Sequence, residues 1–232
     1  KPESKIINPE KFQNFSEKSR SKRGRIFKEQ FQIEKETKIL DLGGGNGAHL
    51  NAVLKNFDAV PEVYLADISD ADLKWAVKKF GYQTILLDEM GTLPFSDKFF
   101  DIVFCSSVIE HVTLEKEKVR EVASSKIFSG QAFKRQKEFA LEIQRIGKGY
   151  FVQTPNKYYP VESHTWLPAI VVMLPRFWQI RFIDFMNKWW IKKTSPDWNL
   201  LTREQMQTLF PEAEIIVEKS FGLIKSIIAV KR

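Results

Sequence analysis

The feature that most restricts the fold is a glycine-rich segment between an apolar run and an amphipathic one. Residues 38–44 (KILDLGG) form a short apolar run that ends in glycines, as a buried strand does at a tight turn. Residues 47–57 follow with apolar side chains at helical spacing. Glycines between a strand and a helix permit a tight turn and let the backbone approach a ligand closely. The segment therefore predicts a strand, a loop and a helix in succession.

The same alternation continues along the chain. Further strands are predicted at residues 62–67, 82–88, 100–107 and 150–154, and helices at 70–80, 139–147 and 202–210. This order favours an α/β fold with a doubly wound, mostly parallel sheet covered on both faces. The two closing apolar segments predict an antiparallel hairpin at the edge, which gives seven strands. Residues 113–138 are predicted to be charged and helical, with a mobile stretch around Ser124–Gly130.

Composition excludes several classes of protein. The chain has 232 residues with 43% hydrophobic and 28% charged content, which is typical of a folded domain. Its single cysteine, Cys105, excludes an internal disulfide framework, and no cluster of Cys and His suggests a metal site. The sequence contains no run of about 18 apolar residues, so a membrane-spanning helix is not predicted. The first ten residues lack the apolar core of a secretion signal. We therefore expect a cytoplasmic protein without metal.

Positive charge concentrates in residues 1–38, which contain eleven Lys/Arg and six Glu. We treat this segment as a basic N-terminal helical leader that precedes a domain over 39–232. It is interpreted either as a solvated helix or as a handle for phosphate, acidic lipid or an anionic substrate. Nucleic acid is not expected, because no motif for binding it accompanies the charge.

The glycine loop alone leaves the ligand open. Gly43-x-Gly45-x-x-Ala48 also satisfies the dinucleotide pattern, which would place a pyrophosphate at the helix N-terminus. A turn without any ligand is the other alternative. Acidic residues at the ends of three successive predicted strands, Asp41, Asp67 and Asp88, distinguish these hypotheses. They suit a cationic ligand that carries a ribose and an adenine, and S-adenosylmethionine is such a ligand.

Four segments together resemble the class I S-adenosylmethionine-dependent methyltransferases, closest to their small-molecule branch. They are ILDLGGGNG, YLADIS, LLDEMGTLPFSDKFFDIVFCSSVIEHV and FGLIKSIIAVKR, within residues 36–154 and 200–232. The resemblance implies a Rossmann-like fold and a cofactor whose methionine, ribose and adenine parts lie along three strand ends. It assigns the cofactor to Asp41, Gly43, Gly45, Asn46, Gly47, Asp67, Ile68, Asp88, Glu89 and Ser106, with Ser106 beside the transferable methyl group.

Methyl transfer from a sulfonium depends mainly on alignment, and a general base is needed when the acceptor is a hydroxyl of high pKa. His111 follows the fourth strand with Glu110 beside it, so either a catalytic or a structural role is open. His49 and Cys105 are expected to pack in the core.

Residues 152–168 (VQTPNKYYPVESHTWLP) follow the fifth strand, whose carboxyl end faces the ligand crevice in this type of sheet. They resemble a TPN-x-x-(F/Y)-P-x-E-x-H segment of methyltransferases associated with polysaccharide and glycolipid assembly. We assign substrate contacts to Asn156, Tyr158 and Tyr159, and catalytic candidates to Glu162 and His164 together with His111. Alternatively, Glu162 and His164 hold the loop in place.

Residues 155–198 interrupt the alternation and are predicted to form a helical cap. Within them, residues 166–193 are rich in Trp and carry basic residues at helical spacing. This segment is interpreted as a helix packed on its own domain, a lid, a dimer contact or a peripheral contact with the inner membrane face. The sequence does not predict an oligomeric state.

The preferred function is O-methylation of a small molecule, with a sugar or a lipid-linked glycan as acceptor. A membrane-associated lipid or quinone methyltransferase is the alternative within enzymes. The alternative outside enzymes is a non-catalytic module that binds the cofactor and uses the leader and the aromatic helix to bind partners. A dehydrogenase is a more remote alternative among enzymes.

Overall fold

The computed structural model describes residues 21–88, 92–159, 171, 174–188 and 195–232. Seven strands form one sheet: β1 (Lys38–Leu42), β2 (Glu62–Asp67), β3 (Gln83–Leu86), β4 (Phe100–Ser106), β5 (Gly147–Pro155), β6 (Glu214–Ser220) and β7 (Leu223–Lys231). The helices are α1 (residues 21–30 of it described), α2 (Ala48–Leu54), α3 (Asp70–Phe80), α4 (Ser125–Ile146), α5 (Arg176–Met186) and α6 (Arg203–Leu209).

The strand order is β3-β2-β1-β4-β5-β7-β6. All pairs from β3 to β5 are parallel, whereas β7 runs antiparallel to both β5 and β6. The predicted doubly wound, seven-stranded sheet with an antiparallel hairpin at its edge is confirmed, and β7 is inserted between β5 and β6. The chain reverses its direction of winding between β1 and β4, which is where open α/β sheets bind ligands.

Alternating side chains of the strands bury two apolar layers. Ile39 faces one layer with α1 and α2, and Leu40 and Leu42 face the other with α4 and α6. The described part of α1 is packed rather than solvated, because Phe27 is fully buried against Phe104 and Phe151 of the sheet. Residues 21–30 of the basic segment thus carry their charge on a helix that is fixed to the sheet.

The prediction of a mobile stretch around Ser124–Gly130 is wrong. Ser124 is the N-cap of α4, and its hydroxyl accepts a hydrogen bond from the backbone N–H of Ile127. The stretch is therefore the start of a 22-residue helix. The start of α6 is fixed by a reciprocal capping box between Thr202 and Gln205. Gly147 ends α4, as predicted, and begins β5.

A buried arginine fixes the start of α5. The Arg176 guanidinium donates hydrogen bonds to the carbonyls of Val119 (2.6 Å), Val122 (3.0 Å) and Pro196 (2.8 Å). It also lies 3.2 Å from the centre of the Phe128 ring. Burial lowers the pKa of Arg176 to about 10, and the charge of Asp197 acts in the opposite direction. One side chain thus ties together three chain segments beside the start of α4.

Replacing Arg176 by methionine is expected to lower the free energy of unfolding by about 2–4 kcal/mol, because the buried carbonyls lose their donors. Urea denaturation measures this change. Arg181→Met is the matched control on the same helix, since Arg181 is exposed, and should change stability by about 0.5 kcal/mol or less. Equal losses in the two variants would contradict a structural role for Arg176.

Candidate functional site

The loops after β1 and β4 meet at the point where the winding reverses. Gly43 has a φ of 71°, and a Cβ atom there would lie 2.6 Å from both methyl carbons of Val108. Only glycine fits this backbone angle and this close approach. The contact brings the glycine loop against the segment that follows β4, so that the two loops line one crevice.

Asp41 lies buried at the end of β1 beneath the glycine loop. Its Oδ2 has no hydrogen-bond partner among the described residues, and a Cβ atom on Gly44 would collide with its carboxyl group. Burial, and next the charge of Asp67, raise the pKa of Asp41 to about 8. A buried carboxylate without a partner favours a cationic ligand group. Asp41 therefore fits the ammonium of the methionine part of S-adenosylmethionine.

Asp67 fixes the glycine loop from the neighbouring strand. Its Oδ2 accepts from the Gly45 N–H at 2.8 Å and its Oδ1 from the Ser69 N–H at 2.9 Å. A carboxylate has about four acceptor positions, so both oxygens can also accept from the hydroxyls of a ribose. Ile68, which is predicted to contact the cofactor, is 49% exposed beside it.

The remaining predicted cofactor residues lie around the same edge. The Asn46 side chain accepts from the Ala48 N–H at 3.1 Å, just before the N-cap residue Gly47 of α2. Gly47 packs against the ring of Tyr82, whose pKa is raised to about 12 by burial and by the charge of Asp41. Asp88 is exposed two residues beyond β3, and Glu89 lies outside the described residues.

Ser106 ends β4 within a polar network that the sequence analysis missed. Its hydroxyl donates to Gln153 Oε1 at 2.7 Å and accepts from Arg23 Nη1 at 3.3 Å. Ser107 also donates to Gln153, whose Nε2 has no partner in the described part of the chain. A glutamine inside the apolar run YFVQT was a signal for a buried polar site. The sequence contains no such signal for Arg23, because Arg23 and its partner Ser106 are 83 residues apart in the chain.

The Glu110–His111 pair divides into two roles. Glu110 is fully buried and accepts from the Thr154 hydroxyl at 2.9 Å, so it joins the ends of β4 and β5. His111 is partly exposed, and its Nδ1 lies 3.4 Å from Asp197 Oδ1. Sequence reasoning missed Asp197, which approaches His111 from the far end of the predicted cap. The arrangement pairs an imidazole with a carboxylate at the crevice.

The acceptor-side residues are only partly described. The Asn156 side-chain amide donates to the Ile224 carbonyl at 3.0 Å, and the Asn156 backbone N–H donates to the Lys225 carbonyl at 2.9 Å. Tyr158 is exposed and Tyr159 is partly exposed. Glu162 and His164 lie outside the described residues. Asn156 therefore ties the end of β5 to β7.

Of the two residues assigned to the core, Cys105 lies there, whereas His49 is only half-buried. His49 packs edge-on against Phe104 with ring centres 5.5 Å apart. Cys105 is fully buried, and burial raises the pKa of its thiol. No group of three His, Cys, Asp or Glu in the described ranges is arranged to hold a metal ion. None of the described helices is long and apolar enough to cross a membrane.

Comparison with known proteins found a matching family model and solved structures that share the fold. Residues 40–125 match a family model described as a methyltransferase domain. This range contains the glycine loop and the carboxyl ends of β1, β2 and β4. The search among curated proteins found no significant match.

Three solved structures share the fold. They are the CurJ carbon methyltransferase (16% identity, TM-score 0.52), a SAM-dependent methyltransferase from Archaeoglobus fulgidus (14%, 0.52) and a putative methyltransferase of an antibiotic biosynthesis pathway from Anabaena variabilis ATCC 29413 (16%, 0.50). They cover 87%, 93% and 85% of this chain. The chain spans 50% of the first, 94% of the second and 64% of the third.

Proposed function

We propose that this chain is a class I S-adenosylmethionine-dependent methyltransferase and that it methylates a hydroxyl oxygen of a small-molecule acceptor, a sugar or a lipid-linked glycan. The observation that carries the choice of oxygen is the pairing of His111 with Asp197 at the end of β4. An alcohol is a weak nucleophile until a base takes its proton, whereas many other acceptors need no base.

In this proposal, each part of the cofactor is held by residues at a different strand end. Asp41 holds the ammonium, Asp67 holds the ribose, and Asp88 with Glu89 borders the adenine. When bound, S-adenosylmethionine supplies an electrophilic methyl group. The chain contributes alignment of the acceptor, and prearranged geometry of this kind is worth about 7–11 kcal/mol.

His111 is the proposed general base. The Asp197 carboxylate lies 3.4 Å from His111 Nδ1, where its negative charge would stabilise the imidazolium that forms. The His111 imidazole would take the hydroxyl proton as the acceptor oxygen bonds to the methyl carbon and the carbon–sulfur bond of S-adenosylmethionine breaks, which releases S-adenosylhomocysteine. A positioned base of this kind contributes roughly a hundred- to ten-thousand-fold in rate.

The acceptor class follows from the segment after β5. Its resemblance to the TPN segment of methyltransferases of polysaccharide and glycolipid assembly supports a sugar. We propose that Asn156, Tyr158, Tyr159, Glu162 and His164 form the acceptor wall, and that residues 155–198 cap it within a domain over 39–232.

A second candidate is a lipid or quinone methyltransferase at the inner membrane face. It is favoured by exposed aromatic side chains on α5, where Trp178 is 58% and Phe185 59% exposed, with Phe177 and Phe182 beside them. Aromatic and basic residues together suit a membrane interface. The opposite side of α5 packs inward, since Ile183 contacts Val171 and Trp198.

Flotation on vesicles tests the second candidate. Trp178→Ser combined with Phe185→Ser should abolish flotation, and Trp75→Ser on α3 is the control, since Trp75 is 44% exposed. Absence of wild-type flotation on acidic vesicles would remove this candidate.

Methyl transfer from labelled S-adenosylmethionine to free and lipid-linked sugars tests the main proposal. The expected product is a methyl ether, whose label survives alkaline hydrolysis and lies on oxygen in the NMR spectrum. Label on carbon or nitrogen would contradict it. His164→Ala run alongside tests the acceptor wall, since an unchanged rate would remove His164 as a catalytic candidate.

A further inference from the structure

A fully buried glutamine interrupts the apolar face of α4. The buried residues of this helix recur every three or four positions, and all but one are apolar: Phe128, Ala132, Gln136, Ala140, Ile143 and Ile146. Gln136 is 0% exposed. A buried amide lowers stability unless it is hydrogen-bonded, whereas an apolar side chain would fill the same place without that requirement. The hydrogen bonds of Gln136 therefore decide what this residue contributes.

The Gln136 amide joins two short segments at the crevice. Its Nε2 donates to the carbonyls of Ile109 and Asn199, each at 2.9 Å, so both of its hydrogens are used. Its Oε1 accepts from the Asn199 side-chain amide, also at 2.9 Å. Ile109 lies two residues before His111, and Asn199 lies two residues after Asp197. One side chain thus bonds to the backbone near both members of the His111–Asp197 pair.

Further hydrogen bonds hold the same two segments together. The Asn199 backbone N–H donates to the Glu110 carbonyl at 2.8 Å, and the Thr113 hydroxyl donates to the Asp197 carbonyl at 2.9 Å. Asn199 and Thr113 are buried. We call Gln136, Asn199 and Thr113 the clamp. The clamp fixes the backbone of Asp197 against the segment that carries the imidazole.

The backbone position of Asp197 decides where its charge acts. The Asp197 carboxylate lies 3.4 Å from His111 Nδ1, and the two side chains are 28% and 33% exposed, so water competes for both. Asp197 also acts on Arg176: burial lowers the pKa of Arg176, and the charge of Asp197 opposes this effect. Because the carboxylate can be attracted to Arg176 or to water, a fixed backbone favours its place beside His111.

We infer that the clamp, with Gln136 at its centre, holds the Asp197 carboxylate beside the His111 imidazole, so that Gln136 is a positioning residue for the methyl transfer. This inference rests on the proposed function, in which His111 takes the proton of the acceptor hydroxyl. Gln136 has no exposed surface, so it acts on the reaction only through the pair that it positions.

NMR of the His111 imidazole over a range of pH, in the full chain saturated with S-adenosylhomocysteine, tests the clamp without an acceptor. Asp197→Asn should lower the pH at which the imidazole is half protonated, because it removes the charge that stabilises the imidazolium. Gln136→Met keeps the length of the side chain and removes its amide, and it should lower this midpoint in the same direction. His111→Gln identifies the signal by its loss.

Steady-state kinetics gives the matching catalytic readout. Gln136→Met should lower kcat by about ten- to a hundredfold, since a displacement of about 1 Å in a reacting geometry can reduce the rate by a hundredfold. KM for the acceptor should change much less. In the Asp197→Asn background, Gln136→Met should lower neither kcat nor the midpoint further, because Gln136 acts through Asp197.

Gln144→Met is the matched control on the same helix. The Gln144 Nε2 also donates to two carbonyls, those of Ala140 (2.9 Å) and Leu209 (3.1 Å), but Gln144 lies about two turns further along α4. This variant removes a comparable amide away from the crevice. It should leave the His111 midpoint and kcat unchanged.

A milder variant covers the case in which Gln136→Met does not fold. Thr113→Val keeps the branched shape of the side chain and loses only the hydroxyl that donates to the Asp197 carbonyl. It should shift the His111 midpoint and kcat in the same direction as Gln136→Met, by a smaller amount. In that case, an unchanged midpoint and kcat in Thr113→Val overturn the inference.

The outcomes separate this inference from the proposed function. If S-adenosylhomocysteine does not bind, or if Asp197→Asn and His111→Gln both keep wild-type kcat, the proposed function fails and the inference falls with it. If Asp197→Asn lowers the midpoint and kcat while Gln136→Met changes neither, the inference alone is overturned. Equal losses in Gln144→Met and Gln136→Met, or an undiminished effect of Gln136→Met in the Asp197→Asn background, also overturn it, because they show a general structural role.

Discussion

Asp41→Asn is expected to weaken the binding of S-adenosylhomocysteine by about 2–5 kcal/mol, the usual effect of removing one member of a buried charge pair. Asparagine keeps the shape of the side chain beneath Gly44 and removes only its charge. The ammonium of the ligand would then lie buried without a counter-ion. Calorimetric titration of wild type and variant at pH 7.5 measures the difference, and equal affinities would contradict an ammonium site at Asp41.

The same carboxyl group gives a pH dependence with a defined sign. Because the pKa of Asp41 is raised to about 8, the Asp41 carboxyl group is protonated in most molecules at pH 6. Binding of a cation must therefore expel that proton. Affinity should therefore rise between pH 6 and 7.5 by up to about tenfold per unit. Asp41→Asn should lose this slope, and a slope that persists in the variant would assign it to another group.

Unfolding provides an independent readout of the raised pKa. Between pH 4 and 8 the folded protein keeps a proton on Asp41 that the unfolded chain releases, so the free energy of unfolding falls as the pH rises. The contribution is at most about 1.4 kcal/mol per pH unit. Urea denaturation at several pH values should show a shallower decline in Asp41→Asn than in wild type.

The second large effect is expected at His111. His111→Gln should lower kcat by about a hundred- to ten-thousand-fold, because the acceptor hydroxyl loses its base. KM for the acceptor should change much less, and the limb of the pH–rate profile that reports the base should disappear. Steady-state kinetics over a range of pH checks both expectations.

Two companion measurements keep the His111 result interpretable. S-adenosylhomocysteine should bind His111→Gln as it binds wild type, which shows that the crevice is intact. Asp197→Asn should lower kcat while retaining the limb of the pH profile, because Asp197 positions the base and does not itself take the proton. A His111→Gln enzyme with wild-type kcat would exclude general-base catalysis by this residue.

The positions of the candidate cofactor residues could be predicted from the sequence because these residues are local to strand ends. Asp41, Asp67 and the glycine loop each follow a recognisable apolar run, and parallel strands bring such ends to one edge. The acceptor half could not be predicted in the same way. Arg23 and Asp197 reach the crevice from distant parts of the chain, and nothing in their neighbouring residues indicates where those parts pack.

The error at Ser124–Gly130 has a local cause. Serines and a glycine in a charged segment are typical of a loop, yet Ser124 acts as an N-cap and Gly130 lies inside α4. Phe128 and Ala132 supply the burial that overrides the weak helix propensity of these residues. The segment is helical because of its tertiary packing, which its composition does not reveal.

Titration with S-adenosylmethionine tests the central claim most directly, namely that the crevice between β1 and β4 holds this cofactor. Wild type should bind one molecule per chain, an excess of NAD should leave that binding unchanged, and Asp67→Ala should abolish it. A wild-type chain that binds no S-adenosylmethionine, an Asp67→Ala variant that binds it equally well, or displacement by NAD would contradict the account.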